Sequence, residues 1–314
     1  MLALSVCLFA LPGEVVRANH VDCGDVITTD TVLDADLTCP GAGLIIGADN
    51  ITLDLNGHTL TGPGFDCTTS CGPFPSVPDG VRVRGHSGVT ITNGYITAFL
   101  FGINLNGASH NVIAHVVTTD NTFNGIALFS GSDNNLVTHC TSSNNSSFGV
   151  IVNNGSDDNV VQYCALTGNS TGVFVGGGGM GAPSFRNYIA HNGVRNNAVG
   201  IHLRDADDNV VERNVVEDNG HGILMGEGAD RNVTQHNIVN RSSQSGLLVA
   251  LATTLTEAED NQFVRNRLHA NGTSGAPEAR DIGDNSTGAG ALGTRNAYDG
   301  NQCGTSFPDG LCGF

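Results

Sequence analysis

The 314-residue chain has no tryptophan and no lysine; all 13 of its basic residues are arginine. Set against 30 acids, that leaves a formal net charge of −17. A surface of that sign repels nucleic acid and anionic membranes, tolerates cations and suits solubility. The N-terminal apolar stretch, Leu2–Leu11, is too short to cross a bilayer. No Cys-x-x-Cys pair occurs, which argues against a zinc site. No Gly-x-Ser-x-Gly elbow is present, and "GGGGMG" (Gly176–Gly181) lacks the lysine and helix of a phosphate-cradling loop. Aromatic residues amount to 5%, yet an apolar content of 39% still supports a core.

Glycine is abundant, with 43 residues, and it is periodic. Gly followed by alternating apolar residues recurs at Gly102, Gly125, Gly149, Gly172, Gly200, Gly222 and Gly246, as in "GINL", "GIAL" and "GVIV". After each comes a polar turn, then Asn and a second short strand: "NVIAH" at Asn111, "NLVTH" at Asn135, "NVVQY" at Asn159. A period of 22 to 28 residues marks a repeat architecture. No 3.6-residue pattern persists and glycine is too dense for helix. One unit cannot bury its apolar side alone. Stacking units about 4.8 Å apart buries a continuous core and pairs each backbone with its neighbours. The expected fold is therefore all-β, a single-domain parallel β-solenoid.

Two asparagine rows are expected to stack along the solenoid axis and satisfy amides at bends. One is Asn192, Asn214, Asn237 and Asn266, five residues after each turn Asn. The other is Asn121, Asn145, Asn169, Asn197 and Asn219. Cys140 and Cys164 fall in the first row on adjacent coils. Their spacing permits a disulfide, and the Cβ directions decide whether one forms.

Residues 1–18 resemble a secretory signal, with small residues at Val16–Ala18 for cleavage. No basic residue precedes the apolar run, so the natural start is expected upstream. Cys7 leaves with the signal, and the remaining eight cysteines make an even number, as in an exported, oxidised protein. Proximity pairs Cys23 with Cys39, Cys67 with Cys71, and Cys303 with Cys312. Four segments are expected: the signal over 1–18; a cap, first coil and projecting Cys/Pro loop over 19–79; repeats over 80–277; and a last coil with disulfide closure over 278–314.

Four stretches carry a resemblance: "CGDVITTDTVLDADLTCP" (Cys23–Pro40), "LDLNGHTLTGPG" (Leu53–Gly64), the Asn-x-Val-x-x-Asn repeats and "RNAYDGNQC" (Arg295–Cys303). They resemble the right-handed parallel β-helix proteins of the pectate-lyase-like superfamily, and most closely its secreted NosD-like branch. That superfamily holds lyases, hydrolases, epimerases, adhesins and proteins of unknown role, so the resemblance implies the fold far more than an activity. It also implies a sugar groove on the outward face of the Gly-apolar strand.

Along that face the middle positions read Arg82, Asn104, Ala127, Ile151, Phe174, His202, Leu224 and Leu248. Arg82, Arg84, Asn104 and Asn106 can bind sugar at one end, with Phe174 as an aromatic platform. His202 as base, Arg204 as anion clamp and Asp205 as orienter form a second cluster, joined by Glu227. The apolar run Ala127–Ile151–Phe174 calls for a covering loop or partner. A second stripe, His115, His139, Tyr163, His191, Arg213, His236 and Arg265, suits a solvent-facing bend, although His115 and His139 are close enough to share an ion. A third stripe, Asp133, Asp157, Asp158, Asp207 and Asp208, offers oxygen ligands of the kind Ca²⁺ takes; Asp also simply favours tight turns. The expected function is binding of extracellular polysaccharide or a cell-surface partner by a secreted protein. The alternative is a polysaccharide lyase, hydrolase or epimerase acting at His202–Asp205.

Overall fold

The computed structural model describes residues 20–64, 78–177, 181–251, 256–276, 279–288 and 294–313. The expected signal and the Cys67–Cys71 pair lie outside them, as does most of the projecting loop. The described chain is a single β-solenoid of about ten coils with no helix among its elements.

Twelve parallel strands form one continuous sheet, from Val26–Ile27 to Ser306–Phe307. Its register runs Ile103↔Ile126↔Val150↔Val173↔Ile201↔Ile223, so the repeat intervals read from the glycines are the coil lengths. The long interval after Val173 is taken up by an insertion that adds the strand Ser184–Phe185, paired with Ala206–Asp207. Two further stacks of two- and three-residue strands close the coil. They are fused where Thr90–Thr97 and Val112–Thr119 carry the pairing unbroken around the corner between them, turning at Asn93 and His115. Inward side chains such as Ile103, Leu105, Ile113, Leu128 and Val137 are fully buried and form one apolar column down the axis.

Each repeated glycine has a steric cause. A Cβ on Gly125 would sit 2.0 Å from Ser142 Oγ and 2.7 Å from the carbonyl oxygen of Gly149. The same approach to the next coil's carbonyl recurs from Gly102 to Gly222. Only glycine lets the coils stack this closely.

Three corners of each coil share one device. A residue in the left-handed region is followed by a buried Asn, or in two coils by a buried cysteine, Cys140 or Cys164. His139 (φ 54°), Tyr163 (φ 54°), His191 (φ 57°) and Arg213 (φ 53°) make one such column. Asn134, Asp158, Arg186 and Asp208 make another, and Asp120, Asn144, Asn196 and Asp218 a third. Asn, Asp and His tolerate this conformation better than most residues, which helps to explain their frequency there.

The asparagines behind these corners stack as expected, and there are three rows rather than two. The turn asparagines, Asn111, Asn135, Asn159, Asn187, Asn209, Asn232, Asn261 and Asn296, form the longest ladder. In each step the Oδ1 of one Asn accepts the backbone N–H and the side-chain amide of the Asn a coil before it, as at Asn187 and Asn209, at 2.8 and 3.0 Å. Each step thus gives a buried backbone N–H and a buried side-chain amide a partner inside the protein.

Cys23–Cys39 and Cys303–Cys312 are disulfides near the two ends, with Cα separations of 5.4 and 5.3 Å. Such bonds fit an oxidising, extracytoplasmic environment. Cys140 and Cys164 are buried free thiols. Cys164 Sγ donates to the Val137 carbonyl, the position one coil before the carbonyl that Asn192 reaches, Val161. The sulfurs fill the ladder slot in place of amides.

Candidate functional site

The outward face of the twelve-stranded sheet brings the predicted groove residues into one column. Arg82, Asn104, Ala127, Ile151, Phe174, His202, Leu224 and Leu248 are consecutive register partners. Arg84 and Asn106 pair beside them.

At the N-terminal end, a residue that the sequence reading passed over organises the cluster. Asp79, 1% exposed, accepts hydrogen bonds on Oδ2 from Arg82 Nε at 2.7 Å and from Asn104 Nδ2 at 3.1 Å. Burial raises its carboxyl above the ordinary range, opposed by the hydrogen bond and charge of Arg82. Asp79 Oδ1 and Asn104 Oδ1 have no protein hydrogen-bond partner, so the cluster holds acceptors in excess. The available signal was an acid three residues before Arg82 on one strand.

In the middle, Leu100, Phe101, Ala127, Ile151 and Phe174 form a second apolar cluster outside the core, with Phe129 and Phe148 packed on it. Phe148 and Phe174 lie with ring centroids 5.1 Å apart, and Phe101 meets Phe123 and Phe129 edge-on. The apolar run is thus not bare; flanking phenylalanines pack over it.

At the C-terminal end the edge of Phe174 meets His202 at 5.2 Å. Burial lowers the His202 imidazole to about 4, helped by the charges of Arg204 and His221, so it is neutral at pH 7. Arg204 reaches Glu227 at 3.4 Å. Asp205 turns the corner with φ 51°, and burial raises its carboxyl, with the charge of Asp207 adding to the effect. No hydrogen bond joins His202 to Asp205 among the described residues. The structure therefore places His202, Arg204 and Glu227 around one patch but does not assemble His202 and Asp205 as a base and its orienter.

The histidine stripe is a stack of rings on an outer corner. His115, His139, Tyr163 and His191 follow one another at centroid distances of 5.1, 5.2 and 5.0 Å, nearly parallel. The acidic stripe is tied into the solenoid. Asp133 Oδ1 accepts the Asp157 N–H and Asp157 Oδ1 that of Phe185; Asp207 Oδ1 accepts that of Asp230. Arg186 grips Asp158, and Arg231 grips Asp208 and reaches Asp207. No group of three or more His, Cys, Asp or Glu arranged to hold a metal occurs among the described residues.

These features define a parallel β-helix with a long decorated face. The family described as "right handed beta helix region" matches residues 45–187 and 176–287, and the chain belongs to that family. No curated protein matches it in sequence. Among solved structures, the mannuronan C-5 epimerase AlgE6 A-module of Azotobacter vinelandii superposes with a TM-score of 0.61 at 13% identity, over 90% of this chain and 81% of that one. The periplasmic alginate epimerase AlgG, as a double mutant, gives 0.69 at 13% identity, over 88% and 70%. The Dettilon tailspike protein gives 0.67 at 17% identity, over 90% and 60%. At these identities the likeness is one of fold.

Proposed function

We propose that this protein is exported and binds extracellular carbohydrate along the outward face of the twelve-stranded sheet. The observation that carries the reading is the layout of that face. A hydrogen-bonding cluster at Asp79, Arg82 and Asn104 is separated by an aromatic belt from a second polar patch at His202, Arg204 and Glu227. Aromatic surface with a few placed polar groups is what sugar rings require, because their C–H faces are apolar and their hydroxyls need partners. The structural neighbours act in the same direction, since their names include epimerases of mannuronan and alginate.

A second reading, catalysis, draws support from one feature. A neutral, half-buried His202 between Arg204 and His221 is in the protonation state a general base needs. Against it, Asp205 does not orient the imidazole, and Phe174 and Leu224 flank it in register. Incubation with pectate, alginate and neutral glycans, with and without Ca²⁺, separates the readings. Retention of a glycan without change of its length or unsaturation is the result expected. Shortened, unsaturated or epimerised product that disappears in His202→Ala would establish the enzyme instead. Ca²⁺ along Asp133, Asp157, Asp158, Asp207 and Asp208 belongs to the proposal only if binding needs the ion.

A further inference from the structure

The central column of the outward face continues past Leu248 to Gly283 and Phe307. Gly283 has no side chain, and an added Cβ would stand 3.2 Å from Leu248 Cδ1. Beside this column, at this end of the solenoid, lies a cavity of about 520 Å³ lined by Leu248, Leu251, Asn285, Thr287, Phe307 and Pro308 among others. Small-molecule sites lie in this size range and combine apolar walls with a few polar groups.

The lining is unusual for this protein. Leu251 and Phe307 are 58% and 50% exposed, and only seven large hydrophobic residues among those described are strongly exposed. Two of the seven meet at one cavity. The guanidinium of Arg280 lies over the Phe307 ring, 5.1 Å from its centroid. Beside it, no hydrogen bond ties the side chain of Asn285 or the hydroxyl of Thr287 to another described residue. Their neighbours Asp284 and Ser286 are spent: Asp284 accepts from Ser286 Oγ at 2.6 Å and from Tyr298 Oη at 2.9 Å. A half-exposed ring thus lines the same cavity as an amide and a hydroxyl that have donors and acceptors to give.

We propose that this cavity is a binding site for a single neutral sugar unit, separate from the Arg82–His202 face. The pyranose ring packs its C–H face on Phe307 and Leu251 and hydrogen-bonds through its hydroxyls to Asn285 and Thr287. The preference for a neutral sugar follows from charge. The protein carries −17 and the buried Asp284 carboxylate lines the cavity, whereas the Arg280 guanidinium beside Phe307 is not among the lining residues, so a uronate enters against the field.

Saturation-transfer NMR with millimolar glucose, galactose, mannose, N-acetylglucosamine and galacturonate, on the full chain, tests the site. At least one neutral sugar should show transfer, with galacturonate weaker by severalfold. Phe307→Ala and the near-isosteric Asn285→Leu should each reduce the signal at least fivefold while the melting temperature holds. The exposed Tyr95→Ala, away from both sites, should leave it unchanged, whereas a signal that falls only in Arg82→Ala or His202→Ala belongs to the long face and overturns the cavity site. Absence of transfer from every neutral sugar, galacturonate as the preferred ligand, or binding that survives both cavity substitutions overturns the proposal.

Discussion

Asn214 Oδ1 accepts both the backbone N–H and the side-chain amide of Asn192, each at 3.0 Å, while its own amide donates to the Ile189 carbonyl at 2.8 Å. All three contacts are buried, and all bind one coil to the coil before it. Asn214→Ala leaves the buried Asn192 N–H without its acceptor and removes the side-chain donor from the Ile189 carbonyl, a loss of about 3 kcal/mol. Arg213→Gly, one residue away, should change stability by less than about 1 kcal/mol. It loses a part-buried pairing with Glu212, which keeps its hydrogen bond from Tyr188 Oη, but relieves a left-handed backbone. Denaturant unfolding of the two variants checks the contrast, and equal effects would refute it.

Glycine positions divide in the same way. Gly125→Ala forces a Cβ against Ser142, Thr118 and the Gly149 carbonyl and should cost several kcal/mol or prevent folding. A Cβ at Gly193 meets nothing within 4 Å. Gly193→Ala should be neutral or stabilising by up to about 1 kcal/mol, because the unfolded chain loses freedom. Thermal melts of the pair report the difference directly.

How much of this was legible beforehand depends on periodicity. The Gly-apolar strands, coil lengths and two of the asparagine rows follow from spacing alone, because a solenoid repeats its constraints once per coil. The third and longest row was read as turn asparagines, since a turn Asn and a ladder Asn look alike in sequence. Asp79 was missed because it belongs to no stripe; it acts once, through Arg82 and Asn104. The pairing of His202 with Asp205 rests on the opposite kind of signal. Proximity in sequence suggested a relay, but Asp205 lies in the left-handed corner and is not hydrogen-bonded to the imidazole.

Cys140 and Cys164 stand as thiols in the ladder slot, buried and hydrogen-bonded to backbone carbonyls. Hydrogen bonding to Cys140, together with burial, keeps the Cys164 thiol well above its ordinary value and so protonated. Native protein should leave both unalkylated, and denatured, unreduced protein should alkylate both. A cross-linked Cys140–Cys164 peptide in a non-reducing map would contradict this placement.

His202 links pH to stability. Its imidazole falls from about 6.5 in the unfolded chain to about 4 in the fold, so the unfolded state binds the extra proton between those values. The stabilisation is present above pH 6.5 and is lost as pH falls toward 4, to a total of roughly 3 kcal/mol. His202→Gln should flatten that part of the stability profile. An NMR titration should show His202 still neutral at pH 5; a midpoint near 6.5 would remove the basis for the effect.

The most direct test of carbohydrate binding is calorimetric titration of neutral and acidic oligosaccharides of increasing length. Five inter-coil steps separate Arg82 from His202 in register, about 24 Å of face at the usual strand spacing. Affinity for at least one glycan series should rise with chain length until a ligand spans that distance, then level off. Arg82→Ala and His202→Ala should each lower the plateau at least tenfold. Affinity that ignores ligand length, or a plateau untouched by both substitutions, would contradict binding along this face.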